Sequence, residues 1–261
     1  MTTNSSRGVF GWATVALLCL AAVQAWPQGE KKKERGVPSL EETLAWMKKL
    51  PPLGKPAENP YAKLTVDDLK ALKDFSHGGH TAQGPHVSTR GSEFRFLTAL
   101  PRLEKLDLME NDGVDDEALS HIGRIKSLTH VTLGGGGAQI TGAGLRHLEN
   151  LKELTELIMP GSCKTGDLNA GLGSLAALPK LEVLHLGNDK IADQGLALLA
   201  KATKLKELRL PMNPGITDRG LLSLQALKSL RRVALDGGTK VTPQGIAQLR
   251  KQLPECVVTT D

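Results

Sequence analysis

Leu103-Glu-Lys-Leu106-Asp-Leu108 opens a phrase that this chain goes on to repeat. It returns as Leu128-Thr-His-Val131-Thr-Leu133, Leu154-Thr-Glu-Leu157-Ile-Met159 and Leu181-Glu-Val-Leu184-His-Leu186. Two further copies are Leu205-Lys-Glu-Leu208-Arg-Leu210 and Leu230-Arg-Arg-Val233-Ala-Leu235. The fourth position falls at 106, 131, 157, 184, 208 and 233, in steps of 25, 26, 27, 24 and 25 residues. A fixed period of that length marks a repeat array, in which a single unit cannot bury its apolar face and stacking on neighbours does. Within each phrase apolar residues alternate with others, the two-residue period of a short strand with one buried face. After a turn, Leu145, Leu148, Leu151 and Leu154 recur every three residues and line one side of a short helix. Strand, turn and helix in series predict an α/β solenoid.

A second phrase follows the ladder. Ile216-Thr-Asp-Arg-Gly-Leu221 is its fullest form, and Ile140-Thr-Gly-Ala-Gly-Leu145, Ile191-Ala-Asp-Gln-Gly-Leu196 and Val241-Thr-Pro-Gln-Gly-Ile246 are close to it. The third repeat lacks it, reading Cys163-Lys-Thr-Gly-Asp-Leu-Asn-Ala-Gly-Leu172. Thr141, Thr217 and Thr242 stand where a helix N-cap hydroxyl is useful, and Pro243 follows where its missing N–H costs nothing. Gly144, Gly195, Gly220 and Gly245 precede the first helical apolar residue. Glycine inside a helix is worse than alanine by roughly 0.5–1 kcal/mol. Its recurrence therefore predicts a close approach, here expected to be of helix to sheet.

Together the two phrases resemble the leucine-rich repeat. The flavour is that of many bacterial secreted proteins and of the cysteine-type repeats in F-box adaptors. The resemblance covers the chain from about residue 97 to its end. It implies a right-handed solenoid of about six repeats, with short parallel strands on the concave face and short helices on the convex face. In the cysteine-type family a Cys or Asn closes the turn after the ladder. Asn111 and Asn213 fit this pattern. Gly136, Ser162, Asp189 and Gly238 depart from it, so inter-repeat hydrogen bonding at those turns is expected to be incomplete.

Outside the repeats, residues 1–25 read as a secretory signal: Arg7, an apolar run from Val9 to Ala22, then Val23-Gln-Ala25 as a small-residue cleavage site. Leu18 ahead of Cys19 is wrong for a lipid-attachment box. Residues 26–63 form an N-terminal linker with a capping helix at 39–50, and 64–102 a degenerate first repeat or N-terminal cap. The repeats then occupy 103–252, and 253–261 provide a C-terminal capping strand with Cys256 and Val258 at its buried positions. Ser39-Leu-Glu-Glu42 and Thr65-Val-Asp-Asp68 are capping-box signatures ahead of amphipathic runs, the second run carrying Leu69, Leu72 and Phe75. Pro51 to Pro60 is a loop or linker.

The formal charge is +5, and loss of the signal would leave +4. Along the repeats the two signs are nearly balanced, which argues against nucleic acid, whose binders concentrate basic residues on one face. Lys31, Lys32 and Lys33 read as a solvated linker, or as a contact with an anionic surface. After signal removal only Cys163 and Cys256 remain. They lie three to four strands apart, beyond the reach of a disulfide. The localisation expected is secreted, periplasmic or cell envelope, with no membrane span after cleavage; an uncleaved anchor stays open.

Function then falls to the outward ladder positions. One column reads Lys105, His130, Glu156, Val183, Glu207, Arg232, and the next Asp107, Thr132, Ile158, His185, Arg209, Ala234. Neighbouring strands bring these side chains within about 5 Å, giving an apolar middle with a polar rim, the anatomy of a protein-recognition surface. A third column, Met109, Gly134, Pro160, Gly187, Pro211 and Asp236, is nearly bare and would form a shelf. No Phe, Tyr or Trp follows Phe96, so any hot spot rests on Arg209, Arg232, His130 and His185. The expected function is non-covalent binding of a protein partner, with no cofactor and no catalysis. Ser162-Cys163 has no base at a diagnostic spacing, and no Lys-Ser or Lys-Thr pair turns the glycine run at 134–137 into a phosphate loop. Two other readings stay open: an intracellular adaptor of the F-box type, and a metal-binding loop using His77, His80 and His86.

Overall fold

The computed structural model describes residues 36–50, 59–77, 89–135, 138–163 and 166–260. The signal at 1–25, the lysine run at 31–33, most of the 51–60 linker, His80 and His86 lie outside the described residues. The chain divides into two units, Met1–Gly36 and Val37–Asp261, and the second holds every strand and helix described.

Each ladder phrase forms a three-residue strand. These are β2 Lys105–Asp107, β3 His130–Thr132, β4 Glu156–Ile158, β5 Val183–His185, β6 Glu207–Arg209 and β7 Arg232–Ala234. Two more, β1 Asp74–Ser76 and β8 Val257–Thr259, come from outside the repeated phrase. All eight pair in parallel and in sequence order within one sheet that does not close on itself. The middle residues Phe75, Leu106, Val131, Leu157, Leu184, Leu208, Val233 and Val258 are buried in one row. The leucines before and after them complete the core. This is an α/β leucine-rich-repeat solenoid.

Phe75 departs from expectation. The periodicity assigns it to the helical run after Thr65, but that helix, Val66–Ala71, ends at Leu72 with extended backbone. Phe75 then enters β1 in register with Leu106. Its ring stacks with Trp46 at 5.9 Å and Tyr61 at 5.2 Å, and Trp46 also stacks with Phe96 at 5.3 Å. Aromatic burial at the first strand thus overrides the helical period. The Tyr61 hydroxyl donates to the Ser76 carbonyl, and burial pushes its pKa up to about 12. Helix Leu40–Met47, which brings in Trp46, starts with the full capping box of Ser39 and Glu42.

The convex elements are short: Asp116–Ile122, Gly142–Leu145, Leu172–Ala176, Asp193–Leu199, Asp218–Ser223 and Pro243–Gln252. The leucine period of three has a specific meaning. Gly142–Leu145 continues into a 3-10 helix, Arg146–Asn150, whose period is three residues. Thr141, Thr217 and Thr242 are N-caps whose hydroxyls accept from Ala143, Arg219 and Gly245 backbone N–H groups.

The recurring glycines do mark a close approach, but to the neighbouring repeat and not to the sheet. Asp116 accepts from the backbone N–H of Thr141 at 2.9 Å and from its hydroxyl at 2.6 Å. Asp193 does the same with Thr217, at 2.8 and 2.7 Å, and Asp218 with Thr242, at 2.7 and 2.6 Å. A Cβ on Gly144, Gly220 or Gly245 would stand 2.0, 2.3 or 2.1 Å from Oδ1 of that same carboxylate. In the third repeat Asn169 takes the role, accepting from Ala192 N–H at 2.8 Å beside Gly195. The phrase Ile-Thr-Asp-x-Gly-Leu is therefore a connector. Its Thr donates to the carboxylate of the repeat before, its Asp accepts from the repeat after, and its Gly leaves room for the incoming carboxylate.

A second seam runs four residues beyond the strand ends, through Asn111, Ser162, Asp189 and Asn213, all fully buried. Asn213 Nδ2 donates to the carbonyls of Leu186 at 2.7 Å and Leu210 at 3.1 Å, while its Oδ1 accepts from Asp189 and Ile191 N–H groups. Asp189, one of the departures from the family pattern, retains the accepting half. Its Oδ1 takes the Ser162 N–H at 2.8 Å, the Cys163 N–H at 3.1 Å and the Ser162 hydroxyl at 3.1 Å. Its second oxygen has no hydrogen-bond partner among the described residues.

Candidate binding face

Buried middle residues force their strand neighbours onto the opposite side of the sheet, because successive side chains alternate faces. Strand register then sets Lys105, His130, Glu156, Val183, Glu207 and Arg232 side by side. The second row is Asp107, Thr132, Ile158, His185, Arg209 and Ala234. All the candidate residues of the two columns thus share one face. β1 and β8, which do not follow the repeated phrase, extend the rows with Asp74 and Ser76 at one end and Val257 and Thr259 at the other.

Ile158 and Val183 sit half-buried on the central strands, while Lys105, Arg209 and Arg232 are exposed. Ala234 is buried and offers little to a partner. Beside the apolar centre, one oxygen of Glu207 receives Arg209 Nε at 2.7 Å and faces His185 Nε2 at 3.3 Å. Partial burial works against the Glu207 charge, yet the Arg209 and His185 contacts hold its carboxyl below the usual range. Burial, then the adjacent Arg209 charge, lower the His185 pKa against the pull of Glu207. The lowered His185 pKa favours its neutral ring, so the fixed charges here are Glu207 and Arg209. His130 Nδ1 lies 2.8 Å from the Thr129 hydroxyl.

The shelf beyond the strands carries a residue that the ladder columns did not single out. Met212 is 58% exposed in a turn with φ +57°. Only the left-handed backbone after Pro211 sends this apolar side chain into solvent, and no periodicity announces that. Gly134, one position earlier in the repeat and in the column of Pro211, has φ +97°, and a Cβ there would come within 2.5 Å of the Pro160 carbonyl oxygen.

Other candidates are placed elsewhere. His77 is almost fully buried, its ring nitrogens have no partner among the described residues, and burial lowers its pKa to about 4. As placed, it presents no ligand at the surface. Among the described residues no group of three His, Cys, Asp or Glu is arranged to hold a metal ion. Cys163 and Cys256 are both buried and are not joined to each other. Ser162 is committed to Asp189. Among the described residues no helix is long and apolar enough to cross a membrane.

Residues 201–224, which contain the fifth ladder, match the family model of the leucine-rich repeat. A "Putative adenylate cyclase regulatory protein" of Trypanosoma equiperdum is 29% identical over 186 residues, 71% of this chain and 28% of that protein. A "Putative RNA-binding protein EEED8.10" of Caenorhabditis elegans is 29% identical over 175 residues, 62% of this chain and 23% of that protein. The chain thus spans about a quarter of the length of these curated relatives. The crystal structure of an internalin (inlF) of Listeria monocytogenes superposes with a TM-score of 0.49 at 19% identity, covering 84% of this chain and 67% of that chain.

Proposed function

We propose that this protein is a secreted, non-catalytic interaction module that binds a protein partner through the concave strand face. The observation that carries this reading is the face itself: an apolar pair, Ile158 and Val183, bordered by the Glu207, Arg209 and His185 cluster and exposed Arg232. An apolar centre with a charged border is how protein interfaces are built. With no aromatic anchor after Phe96, the contact depends on charge and is moderate in strength. Secretion rests on the signal-like residues 1–25 alone.

The test is affinity capture from the producing cell's envelope and culture fluid, with the intact protein and an Arg209→Glu, His185→Glu variant side by side. A partner held by the first and lost by the second, with both folded, supports the reading. Equal capture by the two overturns it.

A second reading has one observation in its favour: a similar protein carries the name of an adenylate cyclase regulator. On that reading the same face serves an intracellular adaptor, and an intact Met1 on cytosolic protein would favour it over secretion.

A further inference from the structure

Charge that is balanced along the repeats is sorted in space. All strands run parallel, so the segments leading into them line one rim of the sheet and the segments leaving them line the other. Between each helix and the following strand, the leading segments (72–73, 100–104, 123–129, 151–155, 177–182, 200–206, 227–231 and 253–256) hold eleven Lys and Arg against four Glu. Among the described residues of the trailing segments, three cations (Arg90, Lys190 and Lys240) face six acidic residues.

The four glutamates of the leading rim are already engaged. Glu104 pairs with Lys73 at 2.8 Å, Glu153 with Lys180 at 2.5 Å, Glu182 with Lys206 at 2.8 Å and Glu255 with Arg231 at 3.2 Å. Each pair ties one repeat to the next. Arg102, Lys126, Lys152, Lys201, Lys204 and Lys228 are left exposed, with no ion pair among the described residues. They sit in the segments leading into β2, β3, β4, β6 and β7. Strands stack at about 4.7–4.9 Å, so five steps from β2 to β7 draw a basic line of roughly 24 Å.

We propose that this leading rim is a docking track for a linear acidic polysaccharide, one with a carboxylate or sulfate on successive sugars, lying across the repeats. Three observations choose that occupant. Cations recur at the repeat step, suiting a polymer with regularly spaced charge. Most of the eleven are lysines, compact, strongly hydrated point charges that suit tracking along a polyanion better than two-pronged readout of single groups. No aromatic residue follows Phe96, so the rim has no ring on which the bases of a single-stranded nucleic acid would stack. A second copy is a poorer fit, because half of the six trailing carboxyls are used or buried within the chain. Asp115 caps Ala118, Asp167 accepts from Asn169, and Asp189 is buried.

The track is separate from the strand face and is tested without reference to any protein partner. The full chain is passed over immobilised polygalacturonate and immobilised heparin, with neutral dextran, oligo-dT and duplex DNA as further arms, and eluted by salt. It is compared with Lys126→Glu, Lys152→Glu, Lys204→Glu, and with Arg146→Glu, Arg219→Glu, Lys240→Glu, which makes the same change in net charge at exposed residues off the rim. Retention on an acidic polysaccharide is expected, weakening linearly with the logarithm of salt as bound counterions are released. The rim variant is expected to lose about tenfold or more in affinity, and the off-rim variant to elute like the parent. Equal losses in both variants, no retention on either polysaccharide, or tighter retention on oligo-dT or duplex DNA would overturn the proposal. The two polysaccharide arms distinguish carboxylate from sulfate as the preferred group.

Discussion

Asp189 occupies a place that Asn111 and Asn213 fill with an amide. In Asn213 the nitrogen donates to main-chain carbonyls. In Asp189 the matching oxygen is buried and unpartnered, and a carboxylate has nothing to donate. A proton on that oxygen restores the missing donor, and burial raises the Asp189 pKa to about 7, against the pull of the Ser162 and Cys163 hydrogen bonds. Cys163 and Lys190 lie nearby, and the Cys163 thiol is itself pushed up, first by burial and then by the Asp189 charge. The folded pKa is above the unfolded one, so the two states bind equal protons below about pH 4 and again above about pH 7. Between there and about pH 7 the unfolded chain ionises first and stability falls as pH rises; above about 7 the slope ends. Asp189→Asn is expected to abolish that slope. Relative to its effect at pH 3.5, it should stabilise the protein at pH 8 by on the order of 2–4 kcal/mol. Urea unfolding at the two pH values decides it, and a variant with the parent's pH profile would contradict the protonated assignment. The sequence marks Asp189 as a departure from the family pattern. It does not show that one oxygen is satisfied and the other stranded, because the donors lie 26 and 27 residues away in the chain. Gly220 poses a simpler test. Gly220→Ala would press a methyl against Asp193 and disturb the Thr217 bonds, at a cost of about 1–3 kcal/mol. Gly173→Ala, with nothing within 4 Å, should be neutral or stabilising by about 0.5–1 kcal/mol. Equal urea midpoints for the two would remove the steric explanation.

At the level of elements, the ladder strands were legible because their period is short, apolar and repeated. Helix starts were legible at Ser39, Thr65, Thr141, Thr217 and Thr242, since capping is a local bond between near neighbours. The connector was not. Its Thr reads as a cap, and only the stacked repeats show each Asp reaching the next Thr. β1 was hidden for a different reason. Three residues carry no period of their own, and Phe75 fits the helical spacing before it. Trp46 closes the N-terminal end of the core, stacked between Phe75 and Phe96. Trp46→Ala is expected to cost about 3–5 kcal/mol by cavity formation. Because each repeat contacts its neighbours alone, the damage should begin at the cap. Hydrogen exchange should quicken in β1 and β2 before it does in β6 and β7; uniform acceleration would argue for an all-or-none fold.

For the whole molecule, parallel strands in sequence order create three distinct surfaces from one repeated phrase: a strand face, a basic leading rim and a trailing rim of turns. The candidate strand-face residues were readable in advance, since alternation along a strand and a fixed period dictate which of them become neighbours. The rims were not readable, because near-equal numbers of each charge along the chain conceal a division that exists once the strands align. The helices, short and outward, hold the repeats in register. The central claim is that this sheet face binds a protein. Its most direct measurement is the dissociation constant of the captured partner for the intact protein, for Arg209→Glu and for Arg219→Glu. Both changes reverse one exposed arginine, but Arg209 stands on the strand face and Arg219 on the convex helix Asp218–Ser223. Weakening of about tenfold or more for Arg209→Glu, with Arg219→Glu close to the parent, is the result expected of a hot-spot charge. Equal affinities for all three would contradict recognition through the strand face.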